Sequence, residues 1–456
     1  MKHFEWKNLS FFQKTGRFMA PVILQQLISL GINFLDNVMI GGFGETQIAA
    51  VSFGNQFYSL FNFICMGLGG GAVVLAARFW GSKELDALRR VAAIAMKLTV
   101  VLAVIASLAG IAFPGTMMRI FTNDTAMVEV GTPYMRLIGA TLLLAGLSST
   151  STFLLRSTGK VSIPFIGSAI GLVLNAFFNW VFIFGKLGAP RMELVGAGVG
   201  TVIARAVECL IIFGYFILKD DRVGFRFKHF LLPGGDLWKT YFKFGLPILI
   251  SDTLLGVALT LDRTIQGYVG EAISAASSIV NSGIQITNII NFSMSNAAAI
   301  VVGHTIGEGD IPRAKREANT YVVCSLLLGV LMTVALLLLE QPYLSLFDIT
   351  EETRRIAHGM LMVNCLWLPL QTVAYACTKG VLRAGGDTRF ILFADSGTDW
   401  LISLPFGALA GLVWGLDPVI VYLILRVEYP LTGLICLIRF LSGKWLKRIP
   451  AKAEDN

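Results

Sequence analysis

The sequence predicts an all-α polytopic membrane protein with twelve transmembrane helices in two six-helix lobes, related by a pseudo-two-fold axis along the membrane normal. Three observations predict it. Apolar runs recur along all 456 residues, each reaching the roughly 18 residues that span a hydrocarbon core as a helix. Only 14% of residues are charged and the mean hydropathy is +0.70, against about 25% charged in soluble proteins. The chain also repeats itself. Pro21 stands 15 positions before Asp36, Pro247 stands 15 positions before Asp262, and both stretches close on Gly-Glu, at Gly44-Glu45 and Gly270-Glu271. A large soluble α/β protein would need shorter apolar runs and far more charge.

Taken in order, the first segment, 18–41, carries a single carboxylate, Asp36. A carboxylate in hydrocarbon costs about 2.5–3.5 kcal/mol on insertion scales, so its presence marks a functional site. Segments follow at 47–76, 92–115 and 131–155. The fifth, 162–185, holds Asn175 and Asn179, which at i, i+4 face the same way on a helix. The sixth, 194–218, holds Thr201, with Arg205 and Glu208 read as a structural ion pair. The polar stretch Lys219–Lys243 joins the N-lobe (1–226) to the C-lobe (227–456). It reads as a linker, or as an amphipathic piece on the membrane surface with Phe225, Phe227 and Trp238 dipping inward.

The second half opens with 243–268, carrying Asp252 and Asp262, the latter followed directly by Arg263. Then come 273–303, 318–341 and 357–382. Segment 389–415 places Asp395 and Asp399 at i, i+4 beside Trp400, and 418–441 carries a second expected ion pair, Arg426 with Glu428. A shift of 226 matches Asn55 with Asn281, Gly81 with Gly307 and Arg90 with Arg316, and a shift of 227 puts Arg156 on Arg383. Six helices per half is an even number, so the repeats are parallel. That geometry implies a cavity between lobes and suits alternating access.

Positive-inside counting orients the chain. With the N-terminus cytoplasmic, 27 Lys and Arg residues collect on one side, 6 on the other, and 4 lie inside segments. Both termini are therefore expected in the cytoplasm. The pI of about 9.2 follows from the same asymmetry, and no nucleic-acid partner is implied. Six cysteines fall inside apolar runs without CxxC spacing, and four histidines are too dispersed for a metal site. Met1–Arg17 is polar and basic, and the apolar run behind it is too long for the h-region of a cleavable signal peptide. HExxH and GxSxG patterns are absent, as is a paired Asp in a GxGD context, so an intramembrane enzyme is not expected.

The order and duplication of these motifs resemble the multidrug and toxic compound extrusion (MATE) family. The residues that carry the likeness are Pro21, Asp36, Gly41-Gly42 and Gly44; Gly81 with Arg89-Arg90; Leu155-Arg156-Ser157-Thr158-Gly159 and its copy Leu382–Thr388; Asn175 with Asn179; and Gly196-Ala197-Gly198 with Thr201. The likeness spans almost the whole chain. It implies an antiporter that exports amphipathic, often cationic, small molecules as Na⁺ or H⁺ enters, with no other cofactor, working as a monomer in the bacterial cytoplasmic membrane. By position it implies a coupling-ion site at Asp36, Asn175, Asn179 and Thr201. Asn179 stands where many members have Asp, as in the NorM-like branch. That branch's C-lobe carboxylates cannot be carried over, because the tenth segment has none.

The chemistry of the residues agrees. One carboxylate and three neutral oxygen donors suit a monovalent cation, and a protonated Asp36 is the other option, since burial favours the neutral acid. Asp252, Asp262, Asp395, Asp399 and Trp400 are the candidates for lining the substrate cavity, two carboxylates with an aromatic being suited to a cationic amphiphile. The alternative is a flippase for lipid-linked oligosaccharide or lipid, which would call for a basic cavity.

Overall fold

The computed structural model describes residues 9–40, 45–120, 122 and 124–447. All regular structure among them is helical. The first half contains α1 (Leu9–Ile40), α2 (Glu45–Gly81), α3 (Leu85–Ala112), the short α4 (Pro114–Arg119), α5 (Thr125–Ser157), α6 (Ser162–Phe184) and α7 (Glu193–Leu218). A single 3-10 turn, Phe227–Leu231, marks the linker. The second half contains α8 (Leu237–Val269), α9 (Glu271–Gly307), α10 (Ile311–Leu344) and α11 (Glu351–Tyr375), which runs through a π turn, Ala376–Val381, into α12 (Leu382–Ala384). Next, α13 (Thr388–Thr398) continues through a π turn at Asp399–Ser403, α14 (Leu404–Ala408) and a third π turn at Leu409–Val413. The chain ends in α15 (Pro418–Leu425) and α16 (Glu428–Leu441).

Among the described residues ten helices are long and apolar enough to cross a membrane. The helix α1 and the broken rod from α13 to Val413 occupy the places of the expected first and eleventh segments. The protein is thus an all-α integral membrane protein with the twelve-segment pattern read from its sequence. Much apolar side-chain surface stays exposed, as at Ile105, Val173, Leu331 and Leu338, and a surface of this kind suits lipid. Loops start helices with side-chain caps. Asp124 accepts from the Ala126 amide at 2.9 Å, Asp310 from Arg313 at 3.0 Å, and Asp417 from Val419 at 2.9 Å.

The chain divides into two compact units. One gathers Met1–Met19, Ala77–Lys83 and Phe242–Asn456; the other gathers Ala20–Ala76 and Glu84–Tyr241. The linker packs onto the second of these. Arg89 donates to the Val223 carbonyl at 3.0 Å, Lys97 to Leu232 at 2.9 Å, and Arg222 to Thr158 at 2.6 Å. Of the three aromatics expected to dip inward only Phe227 is well exposed. Phe225 is fully buried, its ring stacked on Phe216 with centroids 5.3 Å apart, and Trp238 packs over Gly234. Phe225 therefore does not dip into the membrane surface: its burial against α7 removes more apolar area from water than an interfacial position would.

The repeated glycines Gly81 and Gly307 have a shared cause. A Cβ on Gly81 would lie 2.1 Å from the His304 carbonyl oxygen, and one on Gly307 would lie 2.1 Å from that of Arg78. The C-terminal ends of α2 and α9 thus touch backbone to backbone, each at the same place in its repeat, and only glycine permits the approach. Arg78 fixes this end of the fold further, donating to the carbonyls of Ala384 at 2.7 Å and Lys447 at 2.9 Å.

Candidate functional site

In the unit built from the first half, α6 and α7 bring three of the four expected ion-site residues together. Asn175 and Asn179 are 1% and 0% exposed. Asn179 Nδ2 donates to Asn175 Oδ1 at 3.3 Å, and Asn175 Nδ2 donates to Thr201 Oγ1 at 3.3 Å. Thr201 in turn donates to the Ala197 carbonyl at 2.9 Å. Small residues on α7 make this possible. A Cβ on Gly200 would lie 2.3 Å from Asn179 Oδ1, and one on Gly196 would lie 2.6 Å from the Phe182 backbone. The bare faces let α7 close on α6 until the amides meet the hydroxyl.

The fourth residue, Asp36, sits in α1, and its side chain lies outside the described residues. Its stretch of helix is bracketed by neighbours of α6 and α7. A Cβ on Gly31 would lie 4.0 Å from Leu172, and Met39 packs against a cluster that includes Ile183 and Ala197.

Deeper in the same unit lies a polar chain that the sequence only half disclosed. Arg156 donates to Gln25 Oε1 at 2.5 Å, Gln25 donates to Ser168 at 2.9 Å, and Ser168 donates to Glu208 at 2.8 Å. Arg205 closes it on Glu208 at 2.6 Å. The ion pair of Arg205 and Glu208 is present as expected. Gln25 and Ser168 were not singled out, because single neutral polar residues in an apolar run carry no distinctive pattern.

In the other unit the carboxylates are held by cations. Asp262 pairs with Arg426 at 2.9 Å and accepts from Gln266 at 2.9 Å. Arg426 also lies over the Tyr422 ring at 4.9 Å, and reaches Glu428 only at 4.0 Å. The sequence named Glu428 as the partner of Arg426; the closer partner is Asp262, on α8. Asp252 has no exposed surface and accepts from Lys379 at 2.7 Å and Arg383 at 3.1 Å. Lys379 bridges on to Asp395 at 2.9 Å, which also accepts from Ser251 at 3.1 Å. Lys379 and Arg383 count in the sequence with the cytoplasmic-side charges; both are buried, drawn in by Asp252, which lies more than 100 positions earlier in the chain.

A cavity of about 70 Å³ opens among these groups, lined in part by Asp262, Lys379, Asp395, Asp399, Arg426 and Glu428. It has room for a few waters and falls far short of the roughly 300 Å³ or more of a small-molecule pocket. Asp252 and Trp400 are not part of its lining. Asp252 is sealed beneath its two cations, and Trp400 packs with Ala258, Leu404 and Leu425 in an apolar cluster. No group of His, Cys, Asp and Glu suited to a metal ion occurs among the described residues.

A family model described as MatE matches residues 21–181 and 247–409, one match in each half. The chain is 23% identical to the probable multidrug resistance protein YoeA of Bacillus subtilis over 404 residues, covering 88% of this chain and 86% of that one. It is 26% identical to the multidrug resistance protein MdtK of Yersinia enterocolitica over 406 residues, covering 86% of each. Among solved structures it resembles a MOP superfamily transporter from Pyrococcus furiosus, with TM-score 0.85 and 18% identity over 95% of this chain and 96% of that chain. It also resembles a variant of the Vibrio cholerae MATE transporter VcmN, with TM-score 0.85 and 15% identity over 95% and 97%.

Proposed function

The chain belongs to the MatE family, and from that premise we propose that it is a cation-coupled antiporter, driven by Na⁺ or H⁺, that exports amphipathic, cationic small molecules by alternating access. The observation that carries this reading is the convergence of the buried Asn175 and Asn179 with the half-buried Thr201, on helices that flank the α1 stretch bearing Asp36. A carboxylate beside amide and hydroxyl oxygens offers hard donors and a single negative charge, which is the donor set of a monovalent cation. The names of YoeA and MdtK as multidrug resistance proteins support the class of substrate. We place the protein in a bacterial cytoplasmic membrane as a monomer, on its likeness to the bacterial relatives, with both termini inside on the strength of its charge asymmetry.

The lipid-linked flippase alternative would need free basic groups. Lys379, Arg383 and Arg426 are each engaged by carboxylates, which supports the cation-exporter reading over it. The test is efflux of a fluorescent lipophilic cation from proteoliposomes with a Na⁺ gradient and a pH gradient imposed separately. Export under at least one gradient is expected. Export independent of both would overturn the proposal.

A further inference from the structure

The linker is held in one shape from within. Asp220 is fully buried and accepts from the Val223 amide at 2.9 Å, and the Arg226 guanidinium donates to the carbonyls of Asp220 and Phe225 at 3.0 Å each. The Arg226 amide donates to His229 Nδ1 at 2.9 Å. Together with the stacking of Phe225 on Phe216, these bonds give the 3-10 turn Phe227–Leu231 a fixed place beside the end of α7.

That turn presents two large apolar side chains outward. Phe227 is 64% exposed and Leu231 is 86% exposed. The Phe227 ring meets Phe213 of α7 edge to face, with centroids 6.4 Å apart. Phe213 stands three positions after the exposed Leu210, on the same face of the helix, and α7 is one of the helices long and apolar enough to cross a membrane. The apolar surface of the turn therefore continues the lipid-facing surface of α7.

The charges beside this surface are positive. The exposed carboxylates of the linker are taken up locally, Asp221 by Arg226 at 3.9 Å and Asp236 by Lys239 at 3.6 Å. Lys219, Arg222 and Lys228 are exposed, and none of them is ion-paired among the described residues. Lys160 adds a further cation, over the Tyr215 ring of α7 at 5.7 Å. Partial burial, and then the charges of Arg89, Lys228 and Arg226, hold the His229 imidazole below its ordinary range.

We infer that this face of the linker is a docking surface for anionic phospholipid: Phe227 and Leu231 enter the boundary between headgroups and acyl chains, and Lys219, Arg222 and Lys228 meet the phosphates. An apolar face rimmed by Lys and Arg is what binds such a membrane surface, by buried apolar area and by attraction to anionic lipid together. A soluble anion would use the cations and leave both apolar side chains in water. A protein would have to displace the lipid that covers α7. All the residues involved belong to one compact unit, and the inference is independent of the role given to Asp36.

The test is photo-crosslinking of the full-length protein in phosphatidylcholine nanodiscs. These carry a trace of phospholipid with a diazirine near the top of one acyl chain, bearing either an anionic phosphatidylglycerol or a zwitterionic phosphatidylcholine headgroup. Adducts are mapped by mass spectrometry, with the exposed Leu331 and Leu338 of α10 as the reference. Relative to these, adducts at Phe227–Leu231 should be about fivefold more frequent with the anionic lipid, the preference that one basic side chain near the surface confers. Lys219→Gln combined with Lys228→Gln should remove the preference, and Phe227→Ser combined with Leu231→Ser should lower adducts from both lipids. Equal labelling by the two lipids, or no adduct in the turn while Leu331 is labelled, overturns the inference. So does loss of the preference on adding inorganic phosphate when chloride of equal ionic strength has no effect, which would make the cations a soluble-anion site.

Discussion

Asp262 and Arg426 are joined by an ion pair of 2.9 Å, and this contact gives the second-half carboxylate a buried cationic partner. Asp36 and Asp262 occupy equivalent places, 226 positions apart. Near the first, α6 and α7 supply neutral donors; at the second, α15 leads into Arg426, which takes the charge. We propose that this pairing makes Asp262 structural. Asp262→Asn should leave a buried guanidinium with only Glu428 nearby and lower stability by about 3–5 kcal/mol. Thermal unfolding in detergent measures it, and Asp262→Asn with Arg426→Gln should recover part of the loss.

The packing of α7 on α6 gives a test of the ion site without touching a ligand. Gly200→Ala forces a methyl to within 2.3 Å of the present position of Asn179 Oδ1. The amide must move, at a cost of about 1–3 kcal/mol for overpacking. Ion-driven export should fall more steeply than the amount of folded protein, both measured on the same proteoliposomes.

Asn179→Asp adds a charge within hydrogen-bond reach of Asn175. It should shift the ion concentration or the pH at half-maximal export by about tenfold or more, the equivalent of about 1.4 kcal/mol, while the protein stays monodisperse. An unchanged dependence would remove Asn179 from the site.

Asp395 was a sequence candidate for contact with cationic substrate. Its Oδ2 is already shared by Lys379 and Ser251. Asp395→Asn should accordingly reduce export of cationic and neutral compounds alike. A selective loss for cations would mean that Asp395 meets the substrate after all.

How much of this was legible in the sequence depended on the range of the interaction. Helices were legible because hydropathy is local, and Gly81 with Gly307 because a repeat exposes whatever both copies need. Asn175 and Asn179 were legible because i, i+4 spacing fixes a shared face. Phe225 was misplaced because a short aromatic-basic stretch reads the same whether it lies on lipid or on α7. Lys379, Arg383 and Arg156 looked like loop charges because their partners Asp252 and Gln25 are remote in sequence, and because π turns leave no mark in hydropathy. Removing these three from the charge count leaves its asymmetry intact.

Orientation follows from that asymmetry and can be tested on exposed positions. Glu352, near the start of α11, and Lys228, in the linker, are both exposed, whereas five of the six native cysteines are buried. Cysteine introduced at position 352 should react with an impermeant maleimide from outside intact cells, and at position 228 only after lysis. The opposite pattern would invert the topology.

The central claim is that the carboxylate of Asp36 couples ion entry to export. Asp36→Asn removes the charge and keeps the shape. Without it a cation has only neutral dipoles, and a proton has no carboxylate to bind; the substrate can still find its own contacts. The deciding measurement is export of a lipophilic cation by Asp36→Asn in proteoliposomes under each gradient, beside binding of the same compound to the purified variant. Binding retained with gradient-driven export lost is the predicted result; export at the wild-type rate under the driving gradient would contradict it.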